Sequence, residues 1–214
     1  MDAIILAGGK GTRMGEEVPK PLTLVCGKTI LDHQLENLLS FSLVEKIILS
    51  IGHRAQEIQE YVEGRYPDRD IIFSIEERPL GTGGGLKLAM QKATSARVLV
   101  LNGDDITDLP IDALEPLSEH TICVAHPRLP FGRVLERDGY AVFEEKPMLP
   151  DWISCGWYCF NREELLCMLP DEGSLEYDVF PKTKLRIYYH EGMWRPLNSK
   201  KDIQAFEEGV EPGK

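Results

Sequence analysis

The residues with the most chemical reach stand near the start of the chain. Leu6-Ala7-Gly8-Gly9-Lys10-Gly11-Thr12-Arg13-Met14-Gly15 places four glycines, a lysine and an arginine in ten positions. Glycines let a backbone approach an anion closely and aim its N–H groups at it. Two familiar phosphate loops fail on spacing. A dinucleotide-type loop anchored on Gly9 and Gly11 needs a third glycine where Met14 stands, and a loop ending in Gly27-Lys28-Thr29 needs a first glycine where Leu22 stands. Val18-Pro19-Lys20-Pro21 follows, and prolines on both sides predict an extended, stiff mount for Lys20. Arg13 offers a planar fork and Lys20 a point charge, both suited to a polyphosphate. A second glycine-rich stretch, Gly81-Thr82-Gly83-Gly84-Gly85, and the acidic run Asn102-Gly103-Asp104-Asp105 come later. Carboxylates of that kind suit a hard divalent cation.

The elements around these motifs read as a β/α alternation. Ala3–Leu6, Val44–Ile51, Ile71–Ile75 and Val98–Leu101 are apolar, strand-like runs, while Thr29–Ser40 and Arg54–Tyr66 carry helical patterns. Gly81–Gly85 reads as a turn leading into a helix from about Leu86 to Ala93. The order β-α-β-α-β-α-β predicts a three-layer α/β/α, Rossmann-like fold on a mixed, mostly parallel sheet. In such sheets ligands sit at the carboxyl ends of the strands, and three of these four strands end in one of the motifs above. After about Thr107 the pattern changes to short runs, at Thr121–Ala125, Arg133–Glu136, Ala141–Glu145 and Ile153–Phe160, with helices over Arg162–Met168 and Lys200–Glu208. This half reads as the remainder of the sheet plus antiparallel strands carrying a second substrate. One domain over residues 1–210 is expected, with halves 1–107 and 108–210 and a frayed tail over 211–214.

Composition narrows the class. The 214 residues suffice for one α/β core. A formal charge of −11 disfavours a nucleic-acid backbone as partner, yet a local pocket of cations and N–H groups still suits a small anion. The first apolar run, Ala3–Ala7, is too short for a signal peptide or a membrane span, so a cytoplasmic protein with no membrane partner is expected. The five cysteines contain no CxxC pair, and Cys155 and Cys159 would lie about 13 Å apart along a strand at roughly 3.3 Å per residue. They read as buried core thiols rather than a disulfide framework or metal site.

Taken together the motifs resemble the sugar-1-phosphate nucleotidyltransferases. The run Ala3 to Met14 followed by Pro19-Lys20-Pro21 is similar to their signature. Leu80 to Leu86, Leu101-Asn102-Gly103-Asp104, Phe143-Glu144-Glu145-Lys146-Pro147 and Glu176-Tyr177-Asp178-Val179-Phe180-Pro181 follow in the same order. The resemblance implies attack of a sugar phosphate oxygen on the α-phosphorus of a nucleoside triphosphate, with release of pyrophosphate and dependence on Mg²⁺. It implies that Leu6, Ala7, Gly8, Gly9, Lys10, Gly11, Thr12, Arg13, Gly81 and Thr82 bind the nucleotide. Arg13, Lys20 and Asp104 would be catalytic, with Asp104 holding the metal. Gly83, Gly103, Glu145, Lys146 and Gly156 would bind the acceptor, Lys146 gripping its phosphate. The Leu80–Gly84 and Ile48–Gly52 stretches lean toward guanylyltransferases acting on mannose- or heptose-like 1-phosphates, and so toward GTP. Two alternatives stay open: a relative of the cobinamide-phosphate guanylyltransferases, which the first fifteen residues also resemble, and a binding homologue without turnover. A homo-oligomer is compatible with the sequence.

One departure stands out. The family usually carries an Asp, a further metal ligand, at the third position of a Trp-x-Asp motif near its end. Here that segment is Trp194-Arg195-Pro196-Leu197-Asn198-Ser199, with Pro196 at the Asp position. Asp105 and Asp178 are the candidates to replace it. The histidines at 33, 53, 120, 126 and 190 have no ligand spacing and read as surface or structural. Trp152 and Trp157 read as core, and Glu76, Glu77 and Glu144 as solvated, with Glu77 the one placed to approach a substrate.

Overall fold

The structure, a computed structural model, describes residues 1–14 and 18–209, with Arg13 described for its backbone alone. Gly15 and the tail at 211–214 therefore lie outside the described residues. In chain order the elements are β1 (Asp2–Leu6), the small hairpin β2 (Leu24–Val25) and β3 (Lys28–Thr29), α1 (Ile30–Leu39), β4 (Lys46–Ile51), α2 (Ala55–Arg65), β5 (Ile71–Ile75), α3 (Gly81–Met90), β6 (Arg97–Asn102) and β7 (Asp105–Thr107). There follow β8 (Thr121–Ala125), β9 (Arg133–Arg137), β10 (Tyr140–Glu144), β11 (Ile153–Asn161), α4 (Arg162–Leu166), β12 (Arg186–Tyr189), β13 (Trp194–Pro196) and α5 (Lys200–Gly209).

Seven strands form the central sheet in the order β12-β8-β11-β6-β1-β4-β5, parallel except for β11, which runs antiparallel to β6 and β8. β8, β11 and β12 form the remainder of the sheet. The antiparallel pairs β9–β10 and β7–β13 stand outside it.

Side chains alternate across each strand, and the alternation builds two cores. Ala3, Ile5, Ile47, Leu49, Leu99, Leu101 and Trp157 face one side with Leu31, Leu35 and Leu38 of α1 and Ile58 and Val62 of α2. Ile4, Ile48, Val98, Val100, Tyr158 and Phe160 face the other side with Leu86, Ala89 and Met90 of α3 and Leu165 of α4. This is the expected three-layer arrangement. Among the described residues no helix is long and apolar enough to cross a membrane.

The chain leaves β1 through α1 to β4 on one side and returns through α3 to β6 on the other, so β1 lies at a reversal of strand order. That is where an open α/β sheet leaves a crevice. α1 is fixed at this point by a capping box: Thr29 Oγ1 accepts from the Asp32 amide at 2.9 Å, and Asp32 Oδ2 accepts from the Thr29 amide at 3.1 Å. Such a cap stabilises a helix by about 1 kcal/mol.

Three local expectations need correction. Gly81–Gly85 is the first half of α3 rather than a turn before it. Lys20 opens a short 3-10 turn, Lys20–Leu22, instead of lying extended, because Pro21 at its second position tolerates the tight turn and Pro19 precedes it at ψ 137°. The Cys155–Cys159 spacing of a regular strand does not hold, since the register of β11 on β8 shifts between Ser154 and Tyr158. Cys123, Cys155 and Cys159 are buried, but Cys26 and Cys167 are exposed, because both fall in surface turns.

Candidate active site

The carboxyl ends of β1, β4, β5 and β6 open into a cleft of about 820 Å³. The backbone that follows β1 is tied down on both sides. The Ala7 amide donates to the Ser50 carbonyl at 2.8 Å, Gly8 accepts from the His53 amide at 3.3 Å, and the Gly103 amide donates to the Leu6 carbonyl at 2.9 Å. The ends of β1 and β6, each followed by a motif, are thereby fused into one wall. Leu6, Ala7, Gly8, Gly9, Lys10, Gly11 and Thr12 line it, with Gly81 and Thr82 at the start of α3 and Gly103 and Asp104 after β6. Gly11 takes a left-handed φ of 61°, and a Cβ there would stand 2.7 Å from Lys20 Cβ, so glycine is required where the loop folds back over Lys20.

Lys20 and Asp104 form the charged centre of the cleft. Lys20 Nζ donates to Asp104 Oδ2 at 2.5 Å and to Asn198 Oδ1 at 3.1 Å. The pair is largely shielded, with side-chain exposures of 15% and 28%, so its charges act on a ligand through less screening than surface charges would. Asn198 belongs to the segment after β13, brought in by β13 pairing with β7 and by the Leu197 amide donating to the Asp104 carbonyl at 2.8 Å.

A second hollow adjoins the first and shares Asn102, Asp104, Glu176 and Asn198 with it. Its own walls include Asp105, Ser154, Gly156, Tyr158, Trp194 and Pro196. Ser154 Oγ and Tyr158 Oη lie 3.1 Å apart. Asp105 is buried there, and burial, then the neighbouring Asp104 carboxylate, push its carboxyl well above the ordinary carboxylate range. Glu176 projects between the two hollows, its Oε2 accepting from Thr82 Oγ1 at 3.0 Å and from Ser174 Oγ at 2.6 Å. The cleft therefore joins an anion-ready glycine loop to a hollow rich in hydroxyl and carboxylate groups, with one cation–carboxylate pair between them.

Not every expected residue comes to these walls. Gly83 is buried behind the first cleft, its amide donating to the Gly173 carbonyl at 2.9 Å. Glu145 and Lys146 line neither hollow. Lys146 is exposed with a left-handed φ of 45° and offers its carbonyl to Arg128 Nη1 at 3.2 Å. Asp178 lines neither hollow and accepts from the Ser174 amide at 2.7 Å, so its carboxylate holds a turn. The Arg13 side chain lies outside what the structure describes.

The structure also adds residues. Glu76 does more than solvate a strand end: it lines the cleft, accepts from the Leu80 amide at 3.0 Å, and sits where a side chain on Gly8 or Gly85 would go. Glu77 and His53 line the same cleft. His33 and His190 are structural, bonded to the Val25 carbonyl at 2.9 Å and to Asp108 at 2.9 Å. Trp157 is core, whereas Trp152 is half-buried with its ring 3.8 Å from that of His126. Glu144 is half-buried and pairs with Arg133 at 3.8 Å.

Comparison with known proteins agrees with this fold. Residues 3–147 match the family model of the MobA-like NTP transferase domain. The D-glycero-alpha-D-manno-heptose 1-phosphate guanylyltransferase of Aneurinibacillus thermoaerophilus is 32% identical over 212 residues, covering 89% of this chain and 88% of that protein. The mannose-1-phosphate guanylyltransferase catalytic subunit beta of Drosophila melanogaster is 34% identical over 223 residues, covering 94% of this chain but 60% of its own length. Among solved structures, HddC from Yersinia pseudotuberculosis superposes with a TM-score of 0.79 at 26% identity, over 98% of this chain and 99% of that one. The same protein complexed with GMP-PN gives 0.78 at 25% identity, with the same coverage. A sheet reversal carrying a glycine-rich anion loop, and a family match over more than half of the chain, make this protein a nucleotidyltransferase belonging to the MobA-like NTP transferase domain family.

Proposed function

We propose that the chain transfers a guanylyl group from GTP to a sugar 1-phosphate of the mannose or heptose type, giving a GDP-sugar and pyrophosphate. The observation that carries this reading is the shared wall. The glycine loop and the hydroxyl-lined second hollow meet at Lys20, Asp104 and Asn198, the place where a nucleotide α-phosphate and an acceptor phosphate would have to meet. The heptose and mannose guanylyltransferases among its relatives, and a structural neighbour complexed with GMP-PN, support the choice of base and acceptor.

The acceptor phosphate oxygen forms a bond to the α-phosphorus as the bond to pyrophosphate breaks in line. For such a transfer a protein mainly positions the reactants and neutralises charge. The loop from Gly8 to Thr12 presents its backbone to the nucleotide. Lys20 exchanges its bond to Asp104 for a phosphate oxygen, Lys10 adds positive charge on that side, and Arg13 is assigned to the phosphates by its place in the motif. Ser154, Tyr158 and Glu176 offer acceptors and donors to the sugar.

The oxygen donors suit Mg²⁺. Asp104 presents a partly exposed carboxylate and Asn198 an amide oxygen to one space, and among the described residues no cluster of three or more His, Cys, Asp or Glu could cage a metal. That matches a cation held by one or two carboxylates and by substrate phosphates. When bound there, Mg²⁺ would neutralise charge on the phosphates. A soluble, cytoplasmic enzyme is the setting this reading implies.

The test is a grid of the common nucleoside triphosphates against several sugar 1-phosphates, scored by pyrophosphate release. Release with GTP and a mannose- or heptose-type acceptor is expected. Thermal stabilisation by GTP without any pyrophosphate would instead mark a binding homologue, and release with cobinamide phosphate alone would move the acceptor class.

A further inference from the structure

We infer that Asp105 supplies the second protein carboxylate of the divalent-cation site, across the strand ladder from Pro196. This rests on the reading above in which Asp104 holds Mg²⁺. β7 and β13 are antiparallel, and Asp105 pairs directly with Pro196. Residues directly opposite in an antiparallel pair point to the same face, with Cβ atoms about 4.5–5.5 Å apart. A carboxylate on residue 105 therefore reaches the same space as a carboxylate on residue 196, approached from the facing strand. Asp105, Pro196 and Asp104 all border the second hollow.

The state of the Asp105 side chain points the same way. It is 3% exposed and no cation pairs with its carboxylate among the described residues; Gln34 Nε2 bonds only its carbonyl, at 2.9 Å. The buried Trp194 indole N–H donates toward it, and by geometry it is poorly aligned. Oδ2 lies where a side chain on Gly156 would stand, with Asn102 Nδ2 2.6 Å from that same point. A buried carboxylate without a paired cation is costly unless one arrives. Here it faces a hollow that also receives the Asp104 carboxylate. Asp178, the other candidate for the missing carboxylate, is spent on the Ser174 amide, and Glu176, which borders the hollow, accepts from Thr82 and Ser174. Two protein carboxylates plus substrate phosphates and waters make the ligand set that Mg²⁺ prefers.

The test measures Mn²⁺ binding by the loss of the free-ion electron paramagnetic resonance signal, with the protein saturated by a non-hydrolysable imido analogue of GTP. Asp105→Asn keeps the shape and should weaken Mn²⁺ binding by roughly tenfold or more, while Asp178→Asn should leave it unchanged. Asp105→Asn with Pro196→Asp should regain most of the loss, because the carboxylate returns to the same face. Unchanged Mn²⁺ affinity in Asp105→Asn, with analogue binding intact, overturns the inference. So does a folded double variant that regains nothing. If wild type binds no Mn²⁺ at all, the metal dependence proposed above falls with it. If binding is lost in Asp104→Asn but kept in Asp105→Asn, this inference alone is overturned.

Discussion

Two glycines that look alike in the sequence should behave in opposite ways when each is given a methyl group. Gly81 opens α3 at a left-handed φ of 74°, and a Cβ there would run into the Gly173 carbonyl. Backbone cannot rotate away as a side chain can. α3 would have to part from residues 171–175, straining or breaking the bonds from Gly83 N to the Gly173 carbonyl and from Gly173 N to the Leu80 carbonyl, both 2.9 Å. A left-handed alanine costs about 1–2 kcal/mol, overpacking about 1–3 kcal/mol, and each lost hydrogen bond about 1 kcal/mol. These overlap, because parting the segments relieves the overpacking, so a loss of about 3–5 kcal/mol is expected for Gly81→Ala. That is a large share of a typical stability of about 5–15 kcal/mol. A methyl on Gly9 would meet nothing within 4 Å, and the residue has no left-handed φ, so Gly9→Ala should change stability by less than about 0.5 kcal/mol. That methyl would instead project from the anion loop, where nucleotide affinity should fall roughly tenfold as backbone N–H groups lose their approach. Urea unfolding and calorimetric titration with GTP separate the two effects. Gly81→Ala as stable as wild type would refute the packing argument. Gly9→Ala with full GTP affinity would remove that part of the loop from the phosphate site.

Asp104→Asn should lower turnover by at least about a hundredfold, the scale of one lost transition-state electrostatic contact; near-normal rates at saturating Mg²⁺ would take Asp104 out of the mechanism. Lys146→Ala should leave GTP binding close to wild type, since Lys146 lines neither hollow; a calorimetric loss of GTP affinity would show that the segment after β10 reaches the nucleotide. Burial raises the Asp32 carboxyl, but hydrogen bonds from Tyr61, the Thr29 amide and Tyr66 outweigh it and leave its pKa below the ordinary 3.8. The stability this lends is full above that value and is lost as pH falls through the folded pKa. Asp32→Asn should therefore cost stability near neutral pH and flatten the acid limb below about pH 4; an unchanged limb in urea melts across pH would contradict it.

Much of the site was legible because its parts are local. Gly8 to Thr12, Lys20, Gly103 and Asp104 each follow a strand end closely or stand in a motif just beyond one, and an apolar run followed by glycines or acids carries that placement in its own pattern. The strands Ile71–Ile75 and Thr121–Ala125 have the bounds their apolar runs predict, since a buried strand needs continuous apolar residues and little else. The parallel order followed from alternation of strands and helices.

What the pattern did not contain was contact between distant segments. The five small residues from Gly81 to Gly85 have poor helix propensity, yet they form half of α3, because they pack closely on residues 170–175 and helices in proteins take most of their stability from such packing. Glu176 and Asn198 stand more than seventy residues beyond Asp104 and enter the cleft through contacts between distant segments, among them the Thr82–Glu176 and Lys20–Asn198 bonds. Asp178, only two residues from Glu176, turns into its own loop instead. Asp105 and Asp104 are neighbours in the chain, but the ladder with Pro196 buries the first and leaves the second open to Lys20. Sequence determined which residue types stand at the ends of the strands, since that depends on short-range pattern. Only the tertiary structure decided which carboxylates share a hollow, since that depends on the register of strands far apart in the chain.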